Sequence, residues 1–138
     1  MEIPEFIKLL LVEDNPEDAR QVREYLKGTP HKHFEMKWCH RLSEALGYLG
    51  QHTVDVILLD LFLPDSQGYQ TFEILGSRVP NIPILLLTSV LDESLILKTI
   101  QGGAQDYLIK GAVNGDLLIR SIRDALARKQ ITAQVQHG

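Results

Sequence analysis

Ile7-Lys8-Leu9-Leu10-Leu11-Val12-Glu13-Asp14-Asn15-Pro16-Glu17-Asp18 is the stretch that decides the fold of this chain. Its near-continuous apolar run reads as a strand buried on both faces, and it ends abruptly in acid. Asn15 then offers an N-cap, Pro16 suits the first helical position, and Glu17 and Asp18 favour the positive end of the helix dipole. A helix is expected to run to about Lys27 and to stop at Gly28.

Working outward, the same alternation of short apolar blocks and helical stripes recurs along the chain. Phe34, Met36 and Trp38 alternate with Glu35 and Lys37, the pattern of a second strand with one wetter face. Ser43 is read as the cap of a short helix holding Ala45, Leu46 and Leu49. Residues 54–59 form a third apolar run, followed by Asp60 and a loop containing Pro64 and Gly68. A third helix is expected over about 69–77. Pro80 and Pro83 bracket the entry to a fourth strand at 84–87. Asp92 and Glu93 open a fourth helix that Gly102 and Gly103 close. A fifth strand is expected at 107–109 and a last helix from about Asn114 to Gln130. The repeated strand–helix order, with strands one, three and four apolar on both faces, predicts an α/β fold: a doubly wound, five-stranded parallel sheet in the order 2-1-3-4-5, with helices on both faces.

The 138 residues suit one domain, taken as 1–130, with 131–138 as a short C-terminal tail and no output domain. A hydrophobic content of 44% and a charged content of 23% are those of a soluble globular protein. The formal net charge of −4 gives no electrostatic reason for nucleic-acid binding, and Arg120, Arg123, Arg128 and Lys129 read as a solvated helix face. Cys39 is the only cysteine, which excludes an intrachain disulfide and a cysteine-based zinc site. His31, His33, His40, His52 and His137 share no metal-ligand spacing on one helix, and packing accounts for Trp38 and Cys39 on an edge strand. With no apolar run long enough for a bilayer and no signal peptide, a cytoplasmic location is expected and no membrane partner.

In a doubly wound sheet the functional crevice lies beyond the carboxyl ends of the strands. Strand one ends in Glu13-Asp14, strand three in Asp60, strand four in Thr88-Ser89 and strand five in Lys110. Carboxylates gathered at such a crevice repel by roughly 1–4 kcal/mol per pair, so the pocket calls for a cation. Hard oxygen ligands without His or Cys favour magnesium, which would leave one carboxylate free to act as a nucleophile toward a phosphoryl group. Lys110 would add positive charge, and Thr88 a hydroxyl donor to a phosphoryl oxygen.

The runs Leu11-Val12-Glu13-Asp14-Asn15, Leu59-Asp60-Leu61-Phe62-Leu63-Pro64-Asp65-Ser66-Gln67-Gly68, Leu87-Thr88-Ser89 and Asp106-Tyr107-Leu108-Ile109-Lys110 resemble the receiver domain of bacterial two-component response regulators. The resemblance spans about Ile7 to Lys129. It implies that Asp60 is the phosphoacceptor, that Asp14 and Asp60 bind Mg2+ directly, and that Glu13 acts mainly through metal-bound water. The backbone carbonyl of Phe62 would complete the protein ligands. Thr88 and Lys110 would contact the phosphoryl group, with Thr88 and Tyr107 forming the switch. The implied partners are a sensor histidine kinase or phosphotransfer protein and a downstream output domain or protein. A homodimer through the fourth helix, fifth strand and fifth helix is a further implied partner. The domain would catalyse only its own phosphorylation and dephosphorylation.

Two departures from the family pattern matter. Gly111 stands where a cis-proline is usual, and a trans peptide is expected, because a non-proline cis bond costs roughly 2.5–4 kcal/mol. Phe62 and Val90, both apolar, occupy positions that help set phosphoryl lifetime in the family. The apolar residues Leu95, Ile96, Leu97 and Ile100 exceed what one core stripe needs, leaving core and partner surface both open. Three rival functions compete with this reading. A flavin or nucleotide enzyme would need a phosphate cradle after strand one, where this chain has acids. An aspartate-nucleophile phosphatase would need an acid where Phe62 stands. A pseudo-receiver, never phosphorylated, would not need the complete set of acids with Thr88 and Lys110. The chain is expected either to stand alone or to be the N-terminal piece of a larger sensor kinase or nucleotide cyclase.

Overall fold

Leu9, Leu10, Leu11 and Val12 have no solvent exposure at all, which requires cover on both faces of their strand. The computed structural model describes residues 6–28, 33–89 and 92–137, with side chains through 128, so His31 and Val90 lie outside the described residues. In chain order the elements are β1 (Phe6–Val12), α1 (Pro16–Lys27), β2 (His33–Cys39), α2 (Leu42–Leu49), β3 (Val56–Leu59), β4 (Phe62–Leu63), β5 (Ser66–Gln67), α3 (Tyr69–Arg78), β6 (Ile84–Thr88), α4 (Glu93–Gln101), β7 (Asp106–Ile109) and α5 (Gly115–His137).

The five long strands pair in parallel in the order β2-β1-β3-β6-β7, the expected 2-1-3-4-5 order. Alternate residues of the central strands feed two cores. Leu9 and Leu11 join Leu58, Leu85 and Leu108 under α1 and α5, through Val22, Leu26, Leu118 and Ile122. Leu10 and Val12 join Ile57, Leu59 and Leu86 under α2 and α3, through Leu42, Ala45, Phe72 and Leu75. Each fully buried leucine contributes about 1.5–3 kcal/mol relative to exposure, so the sheet is held from both sides. Leu95 and Ile100 of α4 pack against the second core, whereas Leu97 is 58% exposed, so the core accounts for part of that surplus and not for Leu97. On α5, Arg120, Arg123 and Arg128 are exposed, in keeping with a solvated face.

Local chemistry sets the helix starts. Asn15 Oδ1 accepts from the amides of Glu17 (2.9 Å) and Asp18 (3.1 Å), Asp92 Oδ1 from Leu95, and Asn114 Oδ1 from Leu117. Three expectations need correction. Ser43 does not cap α2: the helix begins at Leu42 after Arg41, and the carboxylate of Asp65 accepts from the amides of Leu42 and Ser43, each at 2.9 Å. Burying Leu42 draws the helix start ahead of Ser43, and a distant acid replaces the local cap. The loop after Asp60 contains the small antiparallel hairpin β4–β5, turning at Pro64-Asp65 and closed by Gly68, whose φ of 79° suits glycine. Helix α5 continues to His137 where a tail from 131 was expected, since no Gly or Pro interrupts 131–137.

Candidate functional site

The sheet register delivers the site. Val12 lies opposite Leu59, and the backbone bonds continue one residue beyond each strand. The Glu13 amide donates to Cys39 O (3.0 Å), the Asp60 amide to Val12 O (3.0 Å) and the Lys110 amide to Thr88 O (2.9 Å). Glu13, Asp60 and Lys110 are therefore the first residues past the ends of β1, β3 and β7, and Thr88 is the last residue of β6, which lies between β3 and β7. Oxygens of Glu13, Asp14 and Asp60 all come within 4.8 Å of one another. Lys110 Nζ reaches Asp60 Oδ2 at 2.7 Å and also bonds Glu13 Oε1. Asp60 Oδ1 accepts from the Phe62 amide at 2.8 Å, so the two oxygens of Asp60 have different donors.

Burial governs the electrostatics. Glu13 is fully buried and Asp60 nearly so, while Asp14 faces solvent. Burial, helped by hydrogen bonding to Asp60, pushes the Glu13 carboxyl up to about 9, against the pull of Lys110. Burial by itself would lower the Lys110 ammonium, but the carboxylates of Asp60 and Glu13 outweigh it and raise the group. Glu13 Oε2 has no hydrogen-bond partner. A buried carboxylate oxygen without a donor, beside two further carboxylates, fits a hard divalent cation with water in its shell. The residues present therefore suit Mg2+.

The family model described as the response regulator receiver domain matches residues 9–123. This chain belongs to the response regulator receiver domains. Over 105 residues the receiver domain is 31% identical to the transcriptional regulatory protein MalR of Bacillus subtilis, covering 75% of this chain and 44% of MalR. Over 116 residues it is 34% identical to hybrid signal transduction histidine kinase D of Dictyostelium discoideum, covering 83% of this chain and 7% of that protein. The chain thus spans less than half the length of these relatives. Among solved structures, the Mn2+-bound form of response regulator Rcp1 superposes with a TM-score of 0.70 at 26% identity, covering 84% of this chain and 89% of that one. The domain is a module of two-component phosphorelay signalling, and among the described residues no helix is long and apolar enough to cross a membrane. The flavin, nucleotide-enzyme and phosphatase readings fall with this membership.

Glu13, Asp14, Asp60 and Lys110 converge as expected for the receiver domain, and the Phe62 backbone adjoins them through its amide. Thr88 is buried at the end of β6. Tyr107, opposite Leu86 on β7, is 44% exposed, so its ring is turned outward. The Lys110–Gly111 peptide is trans, as expected from Gly111. Three residues were missed. Asp18 reaches Lys110 Nζ at 3.0 Å, although the first helical turn offered only a dipole reading for it. Asp65 caps α2 from the loop that follows Asp60. Trp38, read as packing, donates its indole Nε1–H to Glu13 O at 2.6 Å.

Proposed function

We propose that Asp60 accepts a phosphoryl group from the phosphohistidine of a sensor histidine kinase or phosphotransfer protein in the cytoplasm. The observation that carries this is the setting of one carboxylate, with Lys110 on one oxygen and the Phe62 amide on the other, inside the acidic cluster. A carboxylate oxygen of Asp60 forms the bond to phosphorus as the phosphorus–nitrogen bond to the imidazole breaks. The electron pair of that bond stays on the imidazole nitrogen, which takes up a proton. The product is an acyl phosphate on Asp60, and its later hydrolysis by water restores the carboxylate. The domain's own catalysis ends there.

Mg2+, held by Glu13, Asp14, Asp60 and the Phe62 carbonyl, supplies positive charge that offsets both the carboxylates and the phosphoryl oxygens. Support comes from the partnerless Glu13 Oε2 and from the divalent ion in Rcp1. Lys110 keeps an ammonium beside the acceptor, and Thr88 offers its hydroxyl to a phosphoryl oxygen. Thr88 sits two residues along the register from the pair of Leu86 and Tyr107, so a shift of its side chain bears on the space into which the Tyr107 ring can turn. Read-out then runs through α4, β7 and α5, where Leu97, Tyr107 and Leu117 are exposed, to an output domain or a second copy.

The test is intact mass after incubation with acetyl phosphate and magnesium. Wild type gains one phosphoryl group and Asp60→Asn gains none. Equal labelling of the two would refute the assignment.

A further inference from the structure

Both main-chain groups of Glu13 are tied to β2. Its amide donates to Cys39 O at 3.0 Å, and its carbonyl accepts the indole N–H of Trp38 at 2.6 Å. The ladder between β1 and β2 ends with the Glu13 amide, and among the described residues the Glu13 carbonyl accepts from the Trp38 indole and not from a backbone amide. The indole takes the place of a backbone donor there. Its ring is half-buried and stacks on His40, with centroids 4.0 Å apart and planes at 18°, which fixes the direction in which the N–H points.

The peptide so held is the one joining Glu13 to Asp14. That peptide links the buried Glu13 to the exposed Asp14, whose carboxylates must both converge with Asp60. Packing alone would be served by any large apolar side chain, as Phe34 and Met36 serve it on the same face of β2. A short hydrogen bond from the only tryptophan of the chain is more than packing requires.

We propose that Trp38 is a positioning residue for the acidic pocket, holding the Glu13–Asp14 peptide in the orientation that lets the two acids bind one divalent cation with Asp60. The proposal rests on the magnesium reading above. It makes the indole a reporter of the pocket as well as a part of it, since a change at the acids is transmitted through one hydrogen bond.

The test uses the full chain. In indole-15N-labelled wild type, the Trp38 Nε1–H resonance should be protected from exchange and should shift during a magnesium titration, with the half-saturation seen by calorimetry. Trp38→Phe keeps an aromatic ring and deletes the donor. One net hydrogen bond corresponds to roughly a 3- to 10-fold rise in the magnesium dissociation constant. An unchanged dissociation constant in Trp38→Phe, or a resonance indifferent to magnesium, would overturn the proposal. Asp14→Ala separates the two readings. If it binds magnesium as wild type does, the metal reading fails; if it loses magnesium while Trp38→Phe does not, only the role of Trp38 fails.

Discussion

Glu13→Gln isolates the charge problem of the pocket. The substitution keeps the shape of the side chain and an oxygen for Lys110, and removes the titration. In the metal-free domain the Glu13 carboxyl is pushed up to about 9 by burial and then by hydrogen bonding to Asp60, whereas in the unfolded chain it returns to the model-peptide value of 4.5. The native state therefore holds this proton more tightly. The associated stability is present in full below pH 4.5 and is lost as pH rises toward about 9. One proton gives a slope of at most about 1.4 kcal/mol per pH unit. For a domain of this size, about 1 kcal/mol moves the thermal midpoint by roughly 3–5 °C. Thermal unfolding of both proteins in a chelating buffer, from pH 5 to 8.5, checks this. Wild type should lose stability relative to Glu13→Gln with each step upward in pH. Magnesium should reverse the order at pH 8, because the ion stabilises the wild-type carboxylate. A difference between the two proteins that stays flat with pH would refute the reasoning, because the proton would then not reside on Glu13.

Two further outcomes follow from the same geometry. Magnesium should raise the thermal midpoint of wild type by mass action, and Asp14→Ala, which removes the exposed member of the acid cluster, should abolish that rise in a thermal shift assay. Asp65→Ala should cost about 0.5–2 kcal/mol in a denaturant titration near neutral pH, since two α2 amides lose their acceptor. Slight burial would raise the Asp65 carboxyl, but the amides of Ser43 and Leu42 more than offset it and hold the group below its usual range. Its contribution is thus present above the unfolded pKa of 3.8 and is lost as pH falls through the lower folded value, so the penalty of the substitution should vanish in strong acid.

What was legible in the sequence was what is local. Apolar runs such as 9–12 and 84–87 announce strands covered on both sides, and Asn15-Pro16 announces a helix start within three residues. The gathering of Glu13, Asp14, Asp60, Thr88 and Lys110 at one end of the sheet was readable because parallel strands of a doubly wound sheet all end at one crevice. What escaped was carried by contacts between distant positions. Leu42 and Ser43 are capped by Asp65, Glu13 is held by Trp38, and Lys110 is shared with Asp18. No periodicity links such pairs, so each was read locally: Ser43 as a helix cap, Trp38 as packing and Asp18 for the helix dipole. The end of α5 was missed for a different reason. Residues 131–137 carry no stop signal, and a helix continues until something ends it.

The register of the sheet has a consequence for quality control. Glu13, Asp60, Thr88 and Lys110 each sit at, or one past, the end of a strand, and side chains alternate faces along a strand. A slip of one position in β1, β3 or β7 would turn Glu13, Asp60 or Lys110 toward a helix-covered face and bring an aliphatic residue to the crevice. A mispaired chain with ample helix and strand content would thus be silent toward its signal. Competence of the pocket certifies the pairing of four strands at once, a stricter criterion of correct folding than any spectroscopic measure of secondary structure.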